Sequence, residues 1–240
     1  MIKKTRIFLS LLSLIFLSGC NAKTLPDGDI KTFIYNFDYD EAYLNTNICS
    51  SKAIQKDFKG ENEIGSLVSN TVFEKNDNFI YFYEEIEYSG NYVENNINSY
   101  QELDYLIDGK FYSKILSNNI EQTPLTIKGE IDKKITNYFY TTLNSNYHMY
   151  GKYYGDNILV NAANYYENFT LNSSKDMLTY TLKNDLTKKG YVINNSYTVD
   201  KFGMVTNQFS EIKSLDSSGL SVMTNFEAKY NEEIEKKENI

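Results

Sequence analysis

The residues that could carry nucleophilic catalysis are few: one histidine, His148, and two cysteines, Cys20 and Cys49. A Ser-His-Asp triad would have to use His148, but the sequence has no Gly-x-Ser-x-Gly turn to present a serine. A Cys49–His148 dyad is conceivable, although no neighbour marks Cys49 as activated, and a small buried side chain is the simpler interpretation. Since zinc-binding and nucleotide-binding motifs are absent as well, we predict no catalytic residue, no metal, no cofactor and no enzyme activity.

Acidic side chains cluster at residues 38–41 and again at residues 84–87. Neither cluster has the ligand spacing of a calcium-binding EF-hand loop. In a strand, alternation would separate Glu84 from Glu85 and place them on opposite faces. We therefore interpret both clusters as solvated acidic surface. A pair of carboxylates for glycoside hydrolysis remains an open alternative that the sequence does not locate.

Aromatic density is the feature that most suggests a ligand. Phe79, Tyr81 and Tyr83 would share one face of a strand, and Ile80 and Phe82 the other. A strand that is apolar on both faces is either covered on both faces or lines an apolar cavity. We therefore name Phe79, Tyr81 and Tyr83 as candidate ligand-binding residues, with ordinary core packing as the alternative.

The first twenty residues are typical of an export signal. Lys3, Lys4 and Arg6 precede an apolar run at residues 7–17. This run of about eleven residues is shorter than the roughly 20 that a membrane-spanning helix needs, and it has the size of a signal-peptide core. We predict that residues 1–19 are a signal peptide.

The segment Leu17-Ser18-Gly19-Cys20 resembles the lipobox of bacterial lipoproteins. The resemblance implies cleavage between Gly19 and Cys20 and a diacylglyceryl group on the Cys20 thiol. Two acyl chains give stable membrane anchoring, which one chain does not. We therefore expect a lipid-anchored protein on the outer face of the bacterial cytoplasmic membrane, with residues 20–29 as a polar tether.

Composition narrows the range of partners. Without residues 1–19, 21 basic and 32 acidic residues remain, a formal charge of −11. A nucleic-acid partner would require a basic face, so none is expected. The length of the remaining chain suits one domain, which we assign to residues 30–230, and we expect a monomer. Residues 231–240 form a charged tail that we expect to fray.

Hydrophobic periodicity divides the domain into three zones. Residues 64–128 alternate with period two, and turn signals at 76–78, 89–91 and Asp108-Gly109 predict hairpins. Residues 130–170 change to helical spacing. The first predicted helix carries Ile131, Ile135, Phe139, Thr142 and Leu143, and the second, capped by Asp156 or Asn157, carries Leu159, Ala162, Ala163 and Tyr166.

Residues 176–230 return to period two. Asn195 interrupts one apolar face, and Thr224 interrupts another; the first face carries Tyr191, Ile193, Tyr197 and Val199, and the second Leu220, Val222, Phe226, Ala228 and Tyr230. Turns are expected at residues 200–203 and 216–219. Residues 30–60 fit no single period, and we expect a helix within residues 38–57, with Cys49 on or near it.

This order of elements predicts an α+β fold: a curved antiparallel sheet, or half-open barrel, with helices packed on one face. The strand–turn–strand unit at 105–112 and the turn at 200–205 resemble those of LolA-like lipoprotein carriers and of lipoproteins of the LppX and LprG type. That resemblance implies a lipid held between sheet and helices, and it transfers no individual binding residue.

Three functions fit these observations. The first is a surface lipoprotein that binds a lipid or other apolar ligand in a cavity between sheet and helices. The second is an interaction or adhesion module with a solid core and no ligand. The third is a surface hydrolase of unrecognised type, which would need convergent carboxylates in a cleft.

Overall fold

The structure, a computed structural model, describes residues 25–76, 79–107, 110–122, 157–183 and 190–237. The signal peptide, Cys20, His148 and the first predicted helix of the middle zone lie outside these residues. Within the described ranges, no helix combines the length and the apolar character needed to cross a membrane.

Strands make up most of the described chain. They are β1 (Ile48–Lys59), β2 (Asn62–Asn76), β3 (Phe79–Gly90), β4 (Ser99–Ile107), β5 (Lys110–Ser117), β6 (Ile120–Gln122), β7 (Tyr166–Leu171), β8 (Met177–Leu182), β9 (Tyr191–Asp200), β10 (Val205–Ser214) and β11 (Leu220–Tyr230). The helices are short: α1 (Gly28–Tyr35), α2 (Tyr39–Asn45) and α3 (Asn157–Tyr165).

All of these strands belong to one open 11-stranded sheet, in the order β6-β5-β4-β3-β2-β1-β11-β10-β9-β8-β7. Neighbouring strands are antiparallel throughout. Each half is a meander of consecutive strands, and β1 joins the halves by pairing with β11 along its length. Short hairpin connections explain this order, because an antiparallel neighbour needs only a tight turn.

Two-residue connections form where the sequence predicts hairpins. Ile107 pairs with Lys110, which leaves Asp108-Gly109 as the link between β4 and β5. Asn76 pairs with Phe79 in the same way at the end of β2. Both hairpin predictions are confirmed by the register of the flanking strands.

The turn between β9 and β10 is held by Asp200. Its Oδ1 accepts hydrogen bonds of 2.9 Å from the backbone N–H of Phe202 and of Met204. Gly203 has φ +86°, a conformation that side chains disfavour, and a Cβ there would lie 2.9 Å from Cγ of Phe37. The turn therefore needs an Asx side chain at its start and glycine near its end.

Helices α1 and α3 cover one end of one face of the sheet. Phe33 and Ile34 of α1 and Leu159 and Ala162 of α3 are buried. They share one apolar cluster with the strand residues Leu178, Tyr180, Tyr197, Val199, Val205, Phe226 and Ala228. The second predicted helix of the middle zone is thus confirmed with its apolar stripe, except that Tyr166 begins β7.

Direct pairing extends this face across the sheet. Paired residues in an antiparallel sheet share a face. The face under the helices can therefore be followed from β8 to β3 through one residue of each strand between them. These residues are Tyr180, Tyr197, Gln208, Phe226, Ala53, Ser69 and Ile86. We call this the helical face and the other the opposite face.

The structure corrects the predicted fold class. The antiparallel sheet is confirmed, and α1 and α3 pack on one face of it, but the described chain is mostly β rather than α+β. The helix expected within residues 38–57 is confirmed as α2, and Cys49 lies near it, at the start of β1, where it is 5% exposed. Strand β1 itself was not predicted, and its residues do not alternate cleanly between buried and exposed.

Candidate functional site

The candidate ligand-binding residues Phe79, Tyr81 and Tyr83 lie together on the opposite face of β3. Tyr81 is 1% exposed and forms a small buried cluster with Tyr83 and Leu103. Phe82 is buried on the helical face, so the middle of β3 is covered on both sides, one of the two outcomes expected for a doubly apolar strand. Because α1 and α3 pack on the helical face, these residues do not line a space between the sheet and those helices.

Burial keeps the hydroxyl groups of this cluster protonated. Desolvation, followed by the negative charge of Glu85, raises the pKa of Tyr83 to about 12. Desolvation also raises the pKa of Tyr81. Both hydroxyls, which are already protonated at neutral pH with an ordinary pKa of 10, therefore remain neutral hydrogen-bonding groups in more alkaline solution as well.

Residues 231–237, which we call the tail segment, pass over this cluster. The ammonium of Lys236 lies 5.2 Å from the ring centroid of Phe79 and 5.9 Å from that of Tyr81. The backbone N–H of Lys237 donates a 2.9 Å hydrogen bond to the hydroxyl of Tyr81. We expected the tail to fray, but in residues 231–237 aromatic side chains contact the ammonium of Lys236 and the backbone of Lys237.

A second candidate site is a polar row on the helical face. Asn195, Ser210, Thr224 and Gln55 are directly paired, one on each of β9, β10, β11 and β1. Asn195 and Ser210 are each only 4% exposed. The neighbouring residues on this face are Ile193, Ile212, Val222 and Asp57 on one side of the row, and Tyr197, Gln208, Phe226 and Ala53 on the other. The row therefore places polar groups, most of them on short side chains, beside mainly apolar residues; Asn195 and Ser210 are buried, whereas Thr224 and Gln55 are half-buried.

The amide of Asn195 is only half satisfied. Its Nδ2 donates a 3.2 Å hydrogen bond to the hydroxyl of Tyr197, whereas its buried Oδ1 has no hydrogen-bond partner among the described residues. Turning the amide over would exchange the two atoms and leave a nitrogen in the same position. A buried polar atom left without a partner costs about 1–3 kcal/mol. A buried polar atom without a partner is typical of a position where a ligand or an ordered water completes the hydrogen bonding.

The other end of the row is closed by the loop after β3. The hydroxyl of Tyr92 donates to Asp57 Oδ1 at 2.6 Å, and Asn91 Nδ2 donates to Asp57 Oδ2 at 2.9 Å. Gln55 Nε2 donates in turn to the Tyr92 hydroxyl. Desolvation and the hydrogen bond to Asp57 raise the pKa of Tyr92, so its hydroxyl stays a donor. A glycine at position 65 makes room for this loop, since a Cβ there would lie 1.7 Å from Asn91 Oδ1.

The acidic clusters have structural explanations in the described residues. Asp38 caps α2, accepting a 3.2 Å hydrogen bond from the backbone N–H of Glu41. Glu85 lies on the opposite face and accepts a 2.8 Å hydrogen bond from Gln101, whereas Glu84 lies on the helical face opposite Glu102. The separation predicted for Glu84 and Glu85 is confirmed, and the described part of the chain contains no group of three potential metal ligands.

Sequence reasoning missed the polar row as a site, although its signal was present. Asn195 and Thr224 each interrupt an otherwise apolar alternation. The structure brings the two interruptions into one row, with Ser210 of β10 between them. That Ser210 belongs to the row follows only from the strand register, which the sequence does not reveal.

These features define a mostly β protein with one open antiparallel sheet and an incompletely satisfied polar row on its helical face. No family model matches the chain, and no curated protein matches its sequence. Its structure is distantly similar to that of a DUF1329 family protein from Desulfovibrio piger ATCC 29098, 10% identical over 87% of this chain and 96% of that chain, with a TM-score of 0.26. It is also similar to a β-barrel-like protein of the domain of unknown function DUF1849 from Brucella abortus, 10% identical over 78% of this chain and 98% of that chain, with a TM-score of 0.27. At this distance we transfer no residue role from either protein.

Proposed function

We propose that this chain is a membrane-anchored surface lipoprotein that binds a mainly apolar ligand on the helical face of its sheet. The observation that carries the proposal is the buried Oδ1 of Asn195, which has no hydrogen-bond partner in the described part of the chain. Ligand pockets are mostly apolar and hold a few well-placed polar groups, as this row does. The ligand would have an apolar body and one hydrogen-bond donor that reaches Asn195.

The anchor is part of the same proposal. Lipid on Cys20 would hold the chain on the outer face of the cytoplasmic membrane, and residues 20–29 would serve as its tether. The sheet would curve into a half-open barrel, as the resemblance to LolA-like, LppX-type and LprG-type lipoproteins implies. A ligand drawn from the membrane would then be held close to its source.

A ligand-free interaction module is the second candidate, and a different observation favours it. Where α1 and α3 cover the sheet, aromatic rings fill the interior: Tyr166 and Tyr180 have ring centroids 4.9 Å apart, and Tyr180 and Tyr197 have centroids 5.5 Å apart. A core filled in this way leaves no room for a ligand at that end. The proposed ligand therefore lies toward the polar row, on the other side of Tyr197.

Native mass spectrometry on residues 24–240 tests the proposal. The expected result is a mass excess that disappears on denaturation and that organic extraction identifies as a mainly apolar molecule. A bare protein mass under native conditions, together with clean organic extracts, would favour the interaction module.

A further inference from the structure

The tail segment reaches the opposite face through a turn at Asn231. Asn231 has φ +58°, and its side chain is held at both ends: Oδ1 accepts a 2.8 Å hydrogen bond from the N–H of Asn47, and Nδ2 donates a 2.7 Å bond to the carbonyl of Asn45. The chain then leaves β11 and contacts β2, β3 and β4 in turn. Residues 231–237 are long enough for this path, because an extended residue spans about 3.3 Å and neighbouring strands lie about 4.8 Å apart.

Lys236 enters a cage formed by three side chains. Its ammonium lies 2.5 Å from Glu74 Oε2 and is positioned over the rings of Phe79 and Tyr81. An aromatic face attracts a cation within about 6 Å of its centroid, and a carboxylate adds direct ion pairing. The cage therefore has the chemistry that recognises an organic ammonium group.

Two tyrosine hydroxyls bind the backbone of the next residue. The Tyr81 hydroxyl accepts from the N–H of Lys237 at 2.9 Å and lies 3.4 Å from its carbonyl oxygen. The Tyr105 hydroxyl donates to the same carbonyl at 3.3 Å. The site thus binds one ammonium side chain and both backbone polar groups of the next residue. These contacts require an extended peptide and a lysine, and none of them requires the peptide to belong to this chain.

We propose that the cage of Glu74, Phe79 and Tyr81, together with the Tyr105 hydroxyl, is a recognition site for a lysine-bearing extended peptide of a partner protein. The tail segment occupies the site in the isolated chain and competes with the partner. A short covalent connection gives the tail an effective concentration in the millimolar range, so a partner segment binds only when it displaces the tail or when many copies are presented together. The formal charge of −11 outside residues 1–19 further favours a basic partner. This site lies on the face away from the polar row, so the inference stands independently of the proposed ligand.

The test uses fluorescence anisotropy with a labelled peptide of residues 231–240 and the chain from residue 21 to residue 240. Lys236→Glu places a negative charge beside Glu74 and releases the tail, and Lys236→Gln removes the charge without adding repulsion. The matched control is Lys213→Glu, because Lys213 is an exposed lysine of β10 whose ion-pair partner, Glu211, lies on the same strand and outside the tail segment. Thermal unfolding of each variant verifies that the sheet is intact.

The expected result is saturable binding of the peptide to the Lys236→Glu chain, at least tenfold tighter than to the wild type or to Lys213→Glu. The affinity of the Lys236→Gln chain for the peptide is expected to lie between the affinities of the wild type and the Lys236→Glu chain. Adding Glu74→Gln to Lys236→Glu is expected to abolish binding, whereas adding Glu87→Gln, on the same face of β3, is expected to leave it unchanged. Three results would overturn the proposal: equal affinity of the peptide for the wild type and the Lys236→Glu chain, no binding to either chain, or equal affinity of the Lys236→Glu chain for the wild-type peptide and a peptide carrying Lys236→Met.

Discussion

Asn195 and Ser210 face each other across β9 and β10 on the helical face, and both are 4% exposed. On this face Ile193 and Ile212 lie on one side of the pair, and Tyr197 and Gln208 lie on the other. Among the residues that the structure describes, Asn195 Oδ1 is buried and has no hydrogen-bond partner. This unsatisfied oxygen marks where we expect the ligand.

A methyl group at position 65 is expected to destabilise the sheet. A Cβ there would lie 1.7 Å from Asn91 Oδ1 and 2.9 Å from the Asn91 backbone nitrogen, so the loop after β3 would have to move. We expect Gly65→Ala to lower the free energy of unfolding by roughly 2–3 kcal/mol, as overpacking does. Urea denaturation measures this loss.

Gly60→Ala is the matched control for that substitution. Gly60 has φ +63° but no neighbour within 4 Å of a new Cβ, so alanine there strains only the backbone, at about 1 kcal/mol. Equal losses for the two variants would show that the loop does not pack against position 65.

Asp200 is expected to make stability depend on pH. Burial raises the pKa of this carboxyl above its ordinary value of 3.8, although three backbone N–H groups work in the opposite direction. The folded state therefore binds a proton more tightly than the unfolded chain, and the protonated carboxyl stabilises the fold most below pH 3.8. That contribution is lost as pH rises through the folded pKa.

Two variants separate the charge of Asp200 from its hydrogen bonds. Asp200→Asn keeps an oxygen acceptor for the N–H groups of Phe202 and Met204 but carries no charge. Between pH 3.5 and pH 7 we therefore expect wild type to lose stability relative to this variant, roughly as pH passes the raised pKa of Asp200. Asp200→Ala removes both hydrogen bonds and is expected to cost about 1–3 kcal/mol at either pH. A constant difference between wild type and Asp200→Asn across this range would contradict the assigned pKa direction.

Parts of this fold could be predicted from sequence because local chemistry determines them. Asp108-Gly109 and the Asp200 turn specify hairpins through turn chemistry alone, and the Leu159–Ala162–Ala163 stripe specifies a helix through its spacing. Strand β1 was missed because it lacks the alternation of a half-buried strand. Long-range pairing, which no local pattern encodes, determined the outcome there.

The candidate site likewise combines features that local sequence determines with features that depend on long-range strand pairing. The grouping of Phe79, Tyr81 and Tyr83 on one face follows from alternation, but which face the helices cover follows from the register of the whole sheet. Binding of the tail to that face was missed because a run of charged residues is usually solvated. Here Phe79 and Tyr81 hold Lys236 through its cation, a contact that the composition of the tail does not reveal.

Membrane attachment is expected to depend on Cys20. Replacing it by serine removes the thiol that would carry the diacylglyceryl group, and each lost methylene removes about 0.8 kcal/mol of membrane affinity. We expect Cys20→Ser to move the protein from the membrane fraction into the soluble fraction, as measured by fractionation and immunoblotting. Cys49→Ser is the matched control, and equal membrane retention of Cys20→Ser and wild type would disprove the anchor.

The central claim is that Asn195 holds a ligand on the helical face, and native mass spectrometry of two leucine variants tests it most directly. Asn195→Leu removes the buried amide, whereas Asn194→Leu removes a neighbouring amide that lies on the opposite face and donates to Glu211 at 3.1 Å. A ligand donor left without its buried acceptor loses about 1–3 kcal/mol, so we expect Asn195→Leu to reduce the ligand-bound fraction about tenfold and Asn194→Leu to leave it unchanged. An identical bound fraction in wild type and both variants, or no bound ligand in wild type, would contradict the claim.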